Sequence, residues 1–225
     1  MESKLFENIK TTLKDAYKKC LRPIIVAYNY RFERMQRRRL RVHDFTIISA
    51  DCIGGVISHR VGERFNSPTV NLWMSHDDCI KLILNLKHYV EIEPIFIGSR
   101  FQYPVAKIDD IVIYFNHYHS IDAAREKWNE RKKRINYQKI YLVITNGDDL
   151  SFEQLEQIKE MKISNKAVFM SKMKGDYDFI KVIKPHKYRT DGFHCMDRTM
   201  MMGWSFEKKF DYVTWLNEGV DKDNL

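Results

Sequence analysis

The fold of this chain is decided by the stretch Phe45-Thr46-Ile47-Ile48-Ser49-Ala50-Asp51-Cys52-Ile53-Gly54-Gly55, which continues to Arg60. Its first five residues are mostly apolar or β-branched, a composition that favours an extended strand. The paired glycines allow the backbone to turn sharply and to approach another group closely before a helix starts. The stretch therefore predicts a strand, a turn and a helix, with polar groups gathered at the carboxyl end of the strand.

The composition is that of a folded globular protein. The 225 residues are 44% hydrophobic and 30% charged, which is enough for one sizeable core or one core with a smaller appendage. No apolar run approaches the roughly 20 residues of a membrane span, and the first residues lack the apolar segment of a secretory signal. We therefore expect a cytoplasmic protein. The four cysteines are scattered without C-x-x-C spacing, so neither a zinc site nor a disulfide framework is indicated.

The positive charge belongs to one end of the chain. Residues 1–43 contain twelve Lys and Arg against four Asp and Glu, which equals the whole net charge of +8, and the other residues are balanced. We predict a basic helical N-terminal segment over 1–43 and an α/β domain over 44–225. A basic arm on a neutral body argues against nucleic-acid binding. The arm suits peripheral contact with the inner face of the cell membrane or with an acidic partner; the alternative is a solvated helical hairpin docked on the domain.

Strand-like and helix-like segments alternate after residue 44. Apolar strands are predicted near 45–49, 92–97, 110–115, 139–145, 166–171 and 179–183. Helices are predicted after Ser75, Ser120 and Ser151, each a favourable N-cap, and a C-terminal helix over 205–218. The strands at 110–115 and 139–145 with the intervening helix predict a right-handed βαβ unit. The fold class is α/β: a three-layer structure with a mostly parallel or mixed sheet and helices on both faces.

Polar residues follow each predicted strand and, if the strands are parallel, share one crevice. His117 is the best candidate for general acid or base chemistry, because imidazole titrates near neutral pH. Its alternative role is a hydrogen bond to the turn at Ser120. Cys52 is a candidate nucleophile, favoured by the helix N-terminus that follows it. Its alternative role is that of a small buried hydrophobe, since no base is adjacent in sequence.

Other patterns are less specific. The N–H groups of Gly54 and Gly55 are suited to a phosphate or carboxylate, but the run fits no dinucleotide or P-loop motif. The acidic pairs at 109–110 and 148–149 suit a divalent metal or simple turns, and we assign neither metal nor cofactor. Arg131 is suited to pairing with an anion or to complementing the end of its helix.

Several short motifs together resemble a bacterial family of unknown function, domain of unknown function 1919. They are Asp51-Cys52-Ile53-Gly54-Gly55, Ser67-Pro68-Thr69, Tyr103-Pro104-Val105, Phe115-Asn116-His117-Tyr118 and the run from Ala124 through Trp128 to Asn136. The resemblance covers about residues 40 to 175. It departs from the family pattern at Asp51, where we expect Asn, and at Ile53, where we expect an aromatic residue.

Members of that family are often associated with exopolysaccharide or capsule biosynthesis, and some are labelled acetyltransferases. The resemblance implies an α/β protein of surface-polysaccharide biosynthesis, a candidate transferase of acyl or glycosyl groups to a sugar. His117, Asp51 and Cys52 are then the candidate catalytic residues. An activated sugar or acyl donor is expected at Gly54-Gly55, with Ser67 and Thr69 positioning the sugar acceptor and Tyr118 and Arg131 contributing to binding. The alternative is a non-catalytic assembly or regulatory protein that binds another biosynthetic enzyme.

Overall fold

Two β-sheets organise the part of the chain that the structure describes. The computed structural model describes residues 19, 23–24, 26–183 and 209–221. The strands are β1 (Thr46–Ser49), β2 (Ile95–Ile97), β3 (Val105–Ile108), β4 (Ile111–Tyr114), β5 (Ile140–Ile144), β6 (Asn165–Met170) and β7 (Ile180–Val182). The helices are α1 (26–39), α2 (Ile53–Val61), α3 (His76–Leu84), α4 (Leu86–Glu91), α5 (Ile121–Lys132), α6 (Phe152–Glu160) and α7 (Tyr212–Asp221).

The larger sheet is parallel, with the strand order β1-β5-β6-β7. Because side chains alternate between the faces of a strand, each strand supplies both layers of the core. One face packs against α2 and α7 and includes Ile47, Val143, Phe169, Ile57 and Leu216. The other face packs against α3 and α6 and includes Ile48, Leu142, Val168, Ile80 and Leu155. The predicted three-layer α/β fold is confirmed.

The predicted βαβ unit of β4, α5 and β5 is wrong. β4 is the last strand of a separate antiparallel sheet with the order β2-β3-β4, whereas β5 pairs in parallel with β1 and β6. The physical reason is the tight hairpin between β3 and β4, whose turn holds Asp109 at a φ of 53°. The hairpin pairs β4 with a neighbour four residues long that we did not predict as a strand.

The starts of the three helices predicted after serine residues are confirmed. The hydroxyls of Ser75, Ser120 and Ser151 accept N–H bonds from Asp78, Ala123 and Gln154, as capping residues do. The helix predicted after Ser75 is divided at Asn85, whose backbone (φ −132°, ψ 47°) is not helical, so that α3 and α4 follow each other.

The end of the basic N-terminal segment packs on the last helix. Gln36 and Leu40 are buried, and the Arg39 guanidinium lies 2.5 Å from the Asp211 carboxylate at the start of α7. The C-terminal helix begins at Tyr212, later than predicted. The predicted helix over 4–20, apart from Lys19, and residues 205–208 lie outside the described residues, and the division at 43/44 stays a prediction. Within the described part of the chain, no helix has the length and apolar character to cross a bilayer.

Candidate functional site

The turn between β1 and α2 is held together by Ser49. Its hydroxyl donates to the carbonyl of Asp51 (2.7 Å) and accepts from the N–H of Gly54 (3.3 Å). These two bonds connect the last residue of β1 to the first turn of α2. The predicted strand, turn and helix are therefore confirmed.

Gly54 and Gly55 allow α2 to pack closely, but they do not make the turn. Both lie inside the helix, which already starts at Ile53, and neither has a positive φ. A Cβ on Gly54 would lie 2.9 Å from the Ser49 hydroxyl, and one on Gly55 would lie 3.0 Å from a methyl of Val70. The Gly54 N–H is bonded to Ser49, so the predicted anion site at these glycines gains no support from this geometry.

The structure brings Cys52 and His117 together. The Cys52 sulfur lies 3.2 Å from Nε2 of His117, although the two residues are 65 positions apart in the sequence. Cys52 is the N-cap residue of α2 and is half-buried, while His117 follows β4 and is exposed. The base that the sequence around Cys52 lacks is thus supplied by the other sheet. The helix N-terminus favours the thiolate and the imidazole can accept its proton, which makes the pair a candidate nucleophile and base.

Asp51 organises the turn rather than facing His117. One carboxylate oxygen accepts the N–H of Ile53 (2.9 Å), and the other accepts the hydroxyl of Thr145, which follows β5. Burial raises the pKa of the Asp51 carboxyl, and the bonds from Thr145 and Ile53 and the nearby His76 act in the opposite direction. Both carboxylate oxygens of Asp51 are thus engaged in holding the turn next to Cys52.

His76 is a part of the site that our sequence analysis missed. Its Nε2 lies 2.9 Å from the carbonyl oxygen of Thr145, and its Nδ1 lies 2.9 Å from the Asp149 carboxylate. A signal was present, because His76 occupies the first turn of α3, where the positive end of the helix disfavours a basic side chain without acceptors. The network connects α3 to the Asp51 turn through Thr145.

The carboxyl ends of the parallel strands do converge, as predicted. Residues after β1 and β5 meet through Asp51 and Thr145. Residues after β5 and β6 meet through Asp148, whose carboxylate accepts from the N–H and the hydroxyl of Ser171, both at 2.8 Å. His117 reaches the same edge from the smaller sheet.

Ser67 and Thr69 lie behind the turn. Both are buried; their hydroxyls are 3.0 Å apart, and the Thr69 hydroxyl accepts the N–H of Ser49 at 3.3 Å. These bonds fix the loop against β1. The geometry favours support of the Ser49–Cys52 turn over the predicted contact with an acceptor.

Tyr118 and Arg131 connect the site to a neighbouring cleft. The buried Arg131 guanidinium donates to the Tyr118 hydroxyl (2.7 Å) and to the carbonyl of Val70 (2.5 Å). Burial raises the pKa of Tyr118, and the Arg131 charge and hydrogen bond oppose that rise. Arg131 also lines a cleft of about 470 Å³ at the far end of α2.

The acidic pairs take part in turns and ion pairs. Asp109 and Asp110 contact His88 and Lys81 at the β3–β4 hairpin. Among the described residues, no group of three or more His, Cys, Asp or Glu side chains is arranged to hold a metal ion.

Two comparisons with known proteins identify the relatives of this chain. It is 32% identical over 184 residues to a Haemophilus influenzae protein described as uncharacterized, an alignment that covers 82% of this chain and 89% of that protein. The model of the family described as Domain of unknown function (DUF1919) matches residues 25–217, which include the β1–α2 turn, His117 and Arg131. The chain therefore belongs to the DUF1919 family.

Proposed function

We propose that this protein is a cysteine-dependent acyltransferase that moves an acyl group from a thioester donor to a sugar hydroxyl. The observation that supports it best is the 3.2 Å contact between the Cys52 sulfur and Nε2 of His117 at the start of α2. A thiolate is a strong nucleophile toward acyl carbon. Glycosyl transfer to a hydroxyl requires a general base but no thiol nucleophile, so the contact of Cys52 with His117 favours acyl transfer.

The first half-reaction forms an acyl-enzyme. His117 Nε2 takes the proton from the Cys52 thiol, and the thiolate attacks the carbonyl carbon of the donor thioester. The tetrahedral intermediate collapses as the carbon–sulfur bond of the donor breaks. His117 gives the Cys52 proton to the departing donor sulfur, which leaves as a thiol. The acyl group stays on Cys52 as a new thioester.

The second half-reaction regenerates the thiol. His117 accepts the proton of the acceptor hydroxyl, whose oxygen attacks the Cys52 thioester to form an ester. The sulfur of Cys52 leaves and recovers the proton from His117. Asp51 and Thr145 hold the turn that carries Cys52, so we assign them positioning roles.

A second cleft suits a polar acceptor. It has a volume of about 570 Å³, and its lining includes His76, Asp77, Asp149, Glu153 and Gln157. Carboxylate and amide groups of this kind hydrogen-bond sugar hydroxyls. His76 and Asp149 link this cleft to Thr145 and hence to the Asp51 turn.

The choice of a sugar acceptor and of exopolysaccharide or capsule biosynthesis rests on the family resemblance in the sequence. A cytoplasmic location, with the basic segment 1–43 at the inner face of the membrane, belongs to the same proposal. It would place the protein near lipid-linked sugar intermediates, where each Lys or Arg near an anionic surface contributes about 1 kcal/mol.

The test is acylation of Cys52 by a small phosphate-free thioester, S-acetyl-N-acetylcysteamine, followed by intact-protein and peptide mass spectrometry. We expect one acetyl group on Cys52, none in Cys52→Ala, and a rate lower by about 10²-fold or more in His117→Gln. Cys79 is an internal control, because burial and the charges of Asp51 and Asp78 raise the pKa of its thiol. Acetylation spread over several cysteines, or an unchanged rate in His117→Gln, would contradict the proposal.

A non-catalytic assembly role is the second candidate, and one surface favours it. The short strand β2 forms an edge of the smaller sheet, where Ile95 and Ile97 are 68% and 44% exposed. An exposed apolar edge strand is suited to pairing with a partner. The test measures the amount of polysaccharide made by cells that express each variant. Polysaccharide production that is retained with His117→Gln and lost with Ile95→Glu would favour this role over catalysis.

A further inference from the structure

The cleft at the far end of α2 is rich in cations. It lies between the end of α2, the loop at 62–65 and α5. Five cationic side chains line it: Arg37, Arg64, Lys127, Arg131 and Arg134. Two carboxylates, Glu63 and Glu130, are the acidic members of the lining. The cleft therefore carries an excess of positive charge.

The two carboxylates are already engaged. Glu130 lies 2.6 Å from the Lys127 ammonium and 3.3 Å from the Arg134 guanidinium. Glu63 accepts from the N–H of Asp44 (3.2 Å) and lies 2.7 Å from the His43 ring. Among the described residues, Arg64 forms no ion pair. Neutralisation from within the protein is thus incomplete.

Arg134 is the cation of the cleft whose surroundings disfavour its charge most clearly. Its Nε atom is buried and has no hydrogen-bond partner within the described structure. Burial and the charges of Arg64 and Arg131 lower the pKa of Arg134 from its usual value. Arg37 pairs with Glu33, and Lys127 and Arg134 share Glu130, so Arg64 and Arg131 are the lining cations without a carboxylate partner among the described residues. The C-termini of α2 and α5 each supply only about half a negative charge, which is too little to balance these two. A bound anion would complete the cleft.

The cleft lies about one helix length from the nucleophile. Cys52 precedes α2 and Gly62 follows it, so the ten-residue rise places the two ends about 15 Å apart. Arg131 of the cleft also donates to the hydroxyl of Tyr118, the neighbour of His117. A donor that reached from this cleft to Cys52 would need an anionic end in the cleft, a long flexible arm and a reactive thioester at the thiol.

We propose that this cleft binds the phosphate groups of an acyl-coenzyme A donor, with the pantetheine arm spanning α2 and the thioester at Cys52. The proposal rests on the function proposed above. Arg side chains bind phosphate through paired N–H donors, and several phosphates on one ligand suit several cations in one cleft.

The test measures binding of coenzyme A to the full chain by titration calorimetry under reducing conditions. We expect Arg64→Gln and Arg134→Gln each to weaken binding about tenfold, the loss of one charge-assisted contact. Lys133→Gln is the matched control, since it removes the same charge from an exposed neighbouring position. Phosphate-free pantetheine should bind to the wild type more weakly than coenzyme A does.

Three results would overturn the inference. In the first, the wild type fails to bind coenzyme A. In the second, Arg64→Gln and Arg134→Gln bind coenzyme A as tightly as the wild type does, and in the third, pantetheine binds as tightly as coenzyme A. Acetylation of Cys52 from an acyl carrier protein but not from acetyl-coenzyme A would also overturn it. If S-acetyl-N-acetylcysteamine acetylates Cys52 while coenzyme A fails these tests, the cleft assignment fails and the acyltransferase proposal stands. If coenzyme A binds as expected and Cys52 is never acetylated, the acyltransferase proposal and the donor role that rests on it both fail.

Discussion

At the scale of single residues, the carboxyl of Asp51 is subject to two opposing effects: hydrogen bonding and burial. It accepts one hydrogen bond from the Ile53 N–H and another from the Thr145 hydroxyl, and both favour the charged form. Burial disfavours that form and is the larger effect, so the pKa is raised. The protein thus holds the Asp51 proton more tightly when folded than when unfolded.

Asp51→Asn tests this balance through the pH dependence of stability. The protonated Asp51 carboxyl contributes its full stabilisation at a pH below 3.8, its pKa in the unfolded chain. This stabilisation is lost as the pH rises through the higher pKa of the folded protein. An amide can accept from Ile53 and donate to Thr145 without titrating. The test measures the free energy of unfolding of both proteins by urea titration at several pH values. We expect the value for Asp51→Asn minus the value for wild type to increase between a pH below 3.8 and neutral pH. A constant difference, or one that decreases with pH, would contradict this account.

Cys52 shows how far a single residue can be interpreted from its neighbours in sequence. The two roles considered for it, nucleophile and buried hydrophobe, fit the same local pattern. Its half-buried position and its contact with His117 support the nucleophile role proposed above, and that contact is made with a residue 65 positions away. Cys79, which is fully buried on α3, is the structural thiol of the described pair.

At the scale of elements, the approach of α2 to β1 depends on the missing side chain of Gly54. Alanine would gain up to about 1 kcal/mol in helix propensity. Its Cβ, however, would lie 2.9 Å from the Ser49 hydroxyl, 3.0 Å from a methyl of Ile47 and 3.3 Å from the Ile47 carbonyl oxygen. Overpacking of this kind costs about 1–3 kcal/mol, so the clash is the larger effect.

Gly54→Ala should therefore lower the free energy of unfolding by about 1 kcal/mol and displace Cys52 from His117. Chemical denaturation measures the first effect, and the rate of Cys52 acetylation measures the second. Gly98→Ala is the control, because no atom lies within 4 Å of the position of its new Cβ. Equal stability of the two variants would show that α2 can move away from β1 at little cost.

The strands illustrate which elements the sequence predicts well. β5 and the last four residues of β6 are runs of apolar residues buried on both faces, a pattern that needs no partner to be recognised. β3 is short and contains Ala106 and Lys107, so it lacks a strong β pattern. β4 was recognised as a strand but assigned to the wrong sheet, since a strand does not specify in its own residues which neighbour it pairs with.

At the scale of the whole molecule, the segment that follows α1 meets the C-terminal helix α7. Asn217 on α7 accepts the N–H of Arg41 at 2.8 Å and donates to the carbonyl of Arg39 at 3.0 Å. The guanidinium of Arg39 contacts Asp211, which directly precedes α7, and Thr214 on that helix. This exposed ion pair is worth about 0.2–1 kcal/mol, so the two bonds to the backbone are expected to matter more.

Asn217→Ala should lower the free energy of unfolding by about 1–2 kcal/mol and speed amide hydrogen exchange around residue 41. The reason is that two backbone groups lose their partner at once. Glu218→Ala is the matched control, because Glu218 is the exposed neighbour on α7. Unchanged exchange in Asn217→Ala would mean that burial of Gln36 and Leu40 is sufficient to dock the segment.

Local pattern determined the helix starts, the main buried strands and the polar edge where Asp51 and Thr145 meet, because capping and side-chain alternation act over a few residues. The contact of Cys52 with His117, the role of His76 and the crowding of Arg64, Arg131 and Arg134 were decided only by the tertiary structure. Each joins segments far apart in the chain, and in the case of His117 two different sheets. Such contacts depend on how whole sheets and helices pack, and no single segment of the sequence encodes that packing by itself.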